Sequence, residues 1–128
     1  ALIAEGVHPS AIIGFDVDAE LVDLYERLYP TVNAMRMRFE EIDFRCENII
    51  ANPPFETAEC ISFFDWLNKV QISGDYAVLL LPHGFIDKQR PSILRDVLRG
   101  FTVLFRTPMQ EPFARTACRA EIVVLECM

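Results

Sequence analysis

Apolar residues along this chain follow two alternating rhythms. Continuous apolar runs occur at Ala11-Ile12-Ile13-Gly14-Phe15 ahead of Asp16, at Asn48-Ile49-Ile50-Ala51, and from Tyr76 to Leu81 after Asp75. Runs of that length read as strands buried on both faces. Between them the period lengthens to that of a helix. Leu21, Leu24, Tyr25 and Leu28 share one face over 19–29, Ile61, Phe64 and Leu67 one face over 57–69, and Ile93, Leu94, Val97 and Leu98 the inner face of a helix opened by Pro91. Punctuation agrees with the rhythm. Asp18 is placed to cap the first of these helices and Pro30 to stop it, while Gly6 closes a helix tail over 1–6 and Gly100 closes the helix after Pro91. The stretch 34–44 carries neither rhythm cleanly and fits a short strand followed by a loop. Phe101–Phe105 and Glu121–Leu125 are two last strands joined by a polar loop over 106–119.

Strands alternating with helices, with the strands apolar throughout, predict an α/β domain: a mostly parallel sheet covered by helices on both faces. In such sheets ligands bind beyond the carboxyl ends of the strands. Asp16, Asn52 and Pro82 mark those ends. A length of 128 residues suits one domain, and 52% hydrophobic residues exclude global disorder. There is no internal repeat, no apolar run near the ~18 residues of a membrane span, and no leader-like pattern in the first ten residues. Cys46, Cys60, Cys118 and Cys127 form no Cys-x-x-Cys pair, so a reducing, cytoplasmic setting is expected and neither a zinc knuckle nor a disulfide framework is.

Charge changes the picture by its distribution. The net value of −7 argues against a simple electrostatic clamp on DNA. Residues 1–64 carry 12 acidic and 4 basic residues, whereas residues 65–128 carry 7 acidic and 8 basic. Over 88–119, Lys88, Arg90, Arg95, Arg99, Arg106, Arg115 and Arg119 face only Asp96 and Glu111. That local excess suits a phosphate backbone; the competing reading is a solvated surface.

Two strand ends carry candidate chemistry. Asp16, at a strand end ahead of a helix, has the acceptors for a ribose diol, although capping the helix would also explain it. Asn52-Pro53-Pro54-Phe55 begins with an amide and then removes two backbone donors, so the loop offers mainly acceptors: the Asn52 side-chain oxygen and the carbonyls of Asn52 and Pro53. Acceptors suit a substrate NH₂ group, and Phe55 offers a flat face for a planar ring. The plainer reading is a structural turn with Phe55 in the core.

Ile49-Ile50-Ala51-Asn52-Pro53-Pro54-Phe55 resembles the catalytic motif of S-adenosylmethionine-dependent amino-methyltransferases, above all the N6-adenine DNA methyltransferases. Gly14-Phe15-Asp16-Val17-Asp18 resembles the motif whose first acid binds the cofactor ribose, and Leu79-Leu80-Leu81-Pro82-His83-Gly84-Phe85 the strand and loop after the catalytic helix. The order and spacing agree over nearly the whole chain. The resemblance implies a Rossmann-like methyltransferase fold over 1–128, as one catalytic domain incomplete at its N terminus and lacking its first strand. It implies Asn52, Pro53, Pro54 and Phe55 as catalytic residues, and Asp16, Val17 and Phe39 as contacts to S-adenosylmethionine. Phe113 and Arg115 are implied as contacts to a flipped base, with DNA as partner and neither membrane nor metal. The family's glycine-rich cofactor loop would lie upstream of Ala1, so residues 1–128 alone are expected to bind the cofactor weakly or not at all. Its adenine-contacting acid falls near Arg38, in Met37-Arg38-Phe39, with Asp43 a shifted candidate.

Other residues fit packing better than chemistry. His8 and His83 lack partners at metal-ligand spacing, Cys46 and Cys60 have no base beside them, and Trp66 lies within a helix. Two alternatives stay open. One methylates an RNA base or a protein glutamine amide, because both present a planar NH₂. The other is a catalytically dead methyltransferase-like protein that binds DNA or a protein partner.

Overall fold

The computed structural model describes residues 2–109 and 119–128, and the chain divides into two compact units, Ala1–Ile42 and Asp43–Met128. The first unit opens with a turn in which Gly6 takes a φ of 92°, its N–H bonds to Ile3 O and the Val7 N–H bonds to Leu2 O. That bond pair closes the turn as a helix end is closed, although residues 2–6 form a turn rather than the helix tail expected there. A 3-10 turn, Pro9–Ala11, leads into β1 (Ile13–Asp16), then α1 (Ala19–Leu28), β2 (Asn33–Arg36) and a second 3-10 turn, Phe39–Glu41. Strands β1 and β2 pair in parallel, with Asp16 beside Arg36. Asp18 caps α1, accepting from the Glu20 N–H at 2.9 Å.

The face of α1 differs from the prediction. Val22 is its buried residue, whereas Leu21, Leu24, Tyr25 and Leu28 are exposed within this structure. A two-stranded sheet is narrow and covers one row of a helix rather than a full stripe. Ile13, expected inside a buried strand, is likewise exposed.

The second unit contains β3 (Asn48–Ala51), α2 (Thr57–Val70), β4 (Tyr76–Pro82), the short α3 (Phe85–Lys88), α4 (Pro91–Val97), β5 (Phe101–Pro108) and β6 (Ala120–Cys127). Its strands lie in the order β3-β4-β6-β5. Neighbours β3 and β4 pair in parallel, while β6 runs antiparallel to both β4 and β5, so β3, β4 and β5 share one direction. The sheet is therefore mixed, with one reversed strand set between β4 and β5. A parallel return needs a crossover, usually a helix, whereas antiparallel neighbours need only a loop. No helical rhythm separates β5 from β6. Strand β3 sits at an edge, which leaves Ile50 63% exposed where a strand buried on both faces was expected.

The core lies on one face of β4 and β6. Ala77, Leu79, Leu81, Val123 and Leu125 are fully buried, as are Cys60, Phe64 and Leu67 of α2. Burying a side chain such as Phe64 or Leu67 contributes about 1.5–3 kcal/mol. Phe63 and Trp66 pair as tilted rings 5.1 Å apart, so Trp66 is packing, as its place in the helix suggested.

At the end of the sheet where β4 begins, polar groups set the register. Gln71 caps the C terminus of α2 and is buried. Its side-chain N–H groups donate to Tyr76 O at 2.8 Å and to Cys46 O and Glu47 O, each at 3.3 Å. Asp75, also buried, accepts from Arg45 Nη2 at 2.7 Å, Arg45 Nε at 3.2 Å and the Ile72 N–H at 2.8 Å. One helix end is thus tied to the starts of both parallel strands.

The Arg45 guanidinium holds the Asp75 carboxyl below the ordinary carboxylate range, against the opposing effect of burial. The stabilisation is complete above the ordinary Asp value and is lost as pH falls through the lowered one. Arg45→Met should reduce unfolding free energy in urea by about 1–3 kcal/mol at neutral pH. It should also flatten the loss of stability on acidification. An unchanged acid limb in the variant would assign that limb to other carboxylates.

Candidate active site

Strand β3 ends at Ala51, opposite Leu79 of β4, and the next four residues are Asn52-Pro53-Pro54-Phe55. Two consecutive prolines cannot extend the ladder, so the chain leaves the sheet and enters α2 at Thr57. Pro53 is buried, Pro54 and Phe55 are half-buried, and Asn52 is exposed. Among the described residues the Asn52 side chain has no hydrogen-bond partner. Its amide is thus presented at the carboxyl end of β3 by a loop whose next residue is anchored. Phe55 is engaged with its surroundings and only half-buried, between the platform and core readings.

Strand β4 continues to Pro82 at the same end of the sheet. It is followed by His83 and Gly84, which is buried and takes a φ of 75°, a left-handed conformation that favours glycine. This lets the chain turn sharply into α3. Phe85 of α3 stacks on Phe64 of α2, with centroids 6.1 Å apart and planes within 6°. The His83 N–H donates to Arg119 O at 2.9 Å, beside the pairing of Pro82 with Ala120.

Arg106 of β5 occupies the same rim. Its Nη2 lies 2.8 Å from Asp87 Oδ2 and 2.9 Å from Glu121 Oε1. Nη1 lies 3.0 Å from Asp87 Oδ1, and Nε lies 3.3 Å from Glu121 Oε2. The Asp87 carboxyl is held below its usual range, first by hydrogen bonding to Arg106. The two carboxylates push the Arg106 guanidinium upward in turn. Arg106 was expected among the cations facing phosphates; the structure gives it to two internal carboxylates instead. A single arginine in one strand and a glutamate near the start of the next was the available signal.

Lys88, Arg90, Arg95 and Arg99 are exposed around α3 and α4, with Arg99 3.5 Å from Asp96. Phe113 and Arg115 lie outside the described residues. Cys60 is fully buried and burial pushes its thiol up to about 11; Cys46, half-buried, is also raised by burial. Neither environment favours a thiolate nucleophile. No group of three His, Cys, Asp or Glu side chains is arranged to hold a metal ion among the described residues.

Asp16, Val17 and Phe39 belong to the first unit. Asp16 is half-buried at the end of β1, and its Oδ1 accepts from the Asp18 N–H at 2.9 Å. Capping therefore uses one oxygen; Oδ2 has no partner among the described residues. Val17 is exposed and its carbonyl accepts from Arg36 Nε at 3.1 Å, while Phe39 is half-buried at the start of the second 3-10 turn. Arg38 is exposed and lies 3.4 Å from Glu40. The five glycines, at 6, 14, 74, 84 and 100, form no glycine-rich turn within this chain.

No protein-family model matches the sequence, and no curated protein does either. Solved structures do resemble the fold. TrmN from Thermus thermophilus has 17% identity and a TM-score of 0.67, over 91% of this chain and 36% of its own. A candidate RNA methyltransferase from Pyrococcus horikoshii has 18% identity and a TM-score of 0.62, over 91% and 62%. Magnesium protoporphyrin IX methyltransferase from Synechocystis PCC 6803, solved with bound S-adenosylmethionine, has 12% identity and a TM-score of 0.67, over 91% and 59%. The chain thus spans less than two thirds of each of these proteins. At this level of identity the likeness concerns architecture, and the architecture of this chain is a Rossmann-like methyltransferase fold.

Proposed function

We propose that this protein transfers a methyl group from S-adenosylmethionine to an exocyclic amino group, with N6 of adenine in DNA as the acceptor. The observation that supports the reading most is the placement of Asn52-Pro53-Pro54-Phe55 at the carboxyl end of β3, with the Asn52 amide exposed and Pro53 buried beneath it. A base amine is a weak nucleophile because its lone pair is delocalised into the ring. Acceptors that bind its N–H groups favour a tetrahedral nitrogen. Their hydrogen bonds strengthen as positive charge builds there, so they lower the barrier more than they aid binding. The Asn52 side-chain oxygen and the Pro53 carbonyl are the acceptors we assign. Phe55 provides a face against the ring. No strong general base is needed, because the nitrogen proton leaves readily to water once the nitrogen is cationic.

Asp16, Val17 and Phe39 are the residues we assign to the cofactor. One carboxylate oxygen of Asp16 has no partner among the described residues, which fits a ribose hydroxyl, and half-buried Phe39 fits the edge of an apolar ring pocket. S-adenosylmethionine, when bound, supplies the electrophilic methyl group. A nucleic-acid acceptor is favoured by exposed Lys88, Arg90 and Arg95. An RNA base is the second reading, favoured by the likeness to the Pyrococcus horikoshii protein.

Three measurements test this. Methyl transfer to duplex DNA, RNA and a glutamine-bearing peptide, each with labelled cofactor, separates the acceptors; label in peptide alone overturns the nucleic-acid reading. Asn52→Ala should lower kcat by roughly tenfold to a hundredfold with little change in acceptor affinity, since hydrogen bonds to charged groups contribute on the order of 1.5–3 kcal/mol. Equal losses in affinity and rate would make Asn52 structural. Calorimetric titration of residues 1–128 with S-adenosylmethionine should give weak or undetectable binding. A low-micromolar dissociation constant would show that residues 1–128 hold the cofactor by themselves.

A further inference from the structure

Glu121 is buried, with 5% of its side chain exposed, and Arg106 retains 29%. Removing such charges from water is costly, and a well-packed apolar pair of similar size is commonly as stable or more so. Stability alone therefore gives little reason for the pair, and less for a second carboxylate on the same guanidinium. What the triad does accomplish is geometric. The planar fork of an arginine fixes the orientation of its partners, which a lysine would not. Here one fork joins three elements: Asp87 on α3, Arg106 on β5 and Glu121 on β6. All three meet at the rim where β4 ends, since Leu81 pairs with Glu121 and Glu121 with Pro108.

The opposite side of α3 is held as well. Phe85 stacks on Phe64 of α2, the helix that begins directly after the Asn-Pro-Pro-Phe loop. A four-residue helix has little stability of its own. Pinned by a ring on one side and a guanidinium on the other, it links the loop's helix to the roots of the β5–β6 hairpin.

We propose that Arg106 and Asp87 are positioning residues that fix α3 between the Asn-Pro-Pro-Phe loop and the β5–β6 hairpin, and so set the shape of the rim that receives the acceptor amine. The proposal rests on the methyltransferase reading for its functional consequence, but the clamp itself has its own readout. Arg106→Met would leave Glu121 buried without a partner and endanger folding. Asp87→Asn is the better variant, because Asp87 is exposed and the Arg106–Glu121 pair stays intact.

Amide hydrogen exchange in the full protein should quicken about tenfold over 84–88 in Asp87→Asn, while α2 stays protected. With DNA as acceptor, KM for DNA should rise about tenfold and KM for S-adenosylmethionine should not change. Asp87→Glu should restore both readouts. Exchange over 84–88 equal to that of the parent protein would overturn the clamp. Faster exchange with an unchanged KM for DNA would overturn its positioning role. If the parent protein methylates no acceptor at all, the methyltransferase reading fails, and the exchange rates still decide the clamp.

Discussion

The parallel register of β3 against β4 is the constraint on which the rest of the second unit depends. It starts with Asn48 beside Tyr76 and ends with Ala51 beside Leu79. A strand advances about 3.3 Å per residue and flips faces at every step, so a slip of one residue would turn each side chain over. Gln71 bonds to the main-chain carbonyls of Glu47, just ahead of β3, and Tyr76, the first residue of β4, and Arg45, also ahead of β3, bonds to Asp75, just ahead of β4. These contacts choose the register at one end. The Asn52 amide inherits its place at the other. Fold and candidate chemistry thus occupy opposite ends of one short ladder.

The candidate loop combines rigidity with exposure in an unusual way for a surface segment. Its prolines remove two backbone donors and two sources of conformational freedom, and burial anchors the first of them. Asn52 precedes that anchor and remains open. A residue held this way can present an acceptor with little reorganisation when charge develops on a substrate nitrogen, which is the condition for a hydrogen bond to act in the transition state. The likeness to solved methyltransferases concerns the frame around this loop; the chemistry rests on the loop itself.

Much of the frame was legible in the sequence because its signals are local. Asp18 caps α1, Pro91 opens α4, Pro82 ends β4, and Thr57 begins α2 where the proline loop releases the chain. Strand direction was less legible, since an apolar run such as Ile122–Leu125 reads the same in either sense. Burial at the edges was misread for a related reason. Ile50 and Leu28 carry the composition of core residues, but exposure depends on how many neighbours the sheet supplies, which no single segment encodes. The Asn-Pro-Pro-Phe loop was legible as a strand exit, because two consecutive prolines cannot extend a ladder. The Arg106 triad was not, because its members lie 19 and 15 residues apart in sequence and meet only through the hairpin and α3.

The triad also changes what the charge distribution means. Arg106, one of the cations over 88–119, already faces two carboxylates, and Arg99 lies near Asp96. Lys88, Arg90 and Arg95, around α3 and α4, are exposed and make no ion pair among the described residues. A polyanion engaging this face would therefore be steered mainly by Lys88 at the end of α3 and by Arg90 and Arg95 of α4 and its cap. Those cations belong to α3 and α4, whereas the Asn-Pro-Pro-Phe loop joins β3 to α2. Phe85, Asp87 and Lys88 share the four residues of α3, so the helix held by the Phe64 ring and the Arg106 fork is also one that offers a cation to a polyanion.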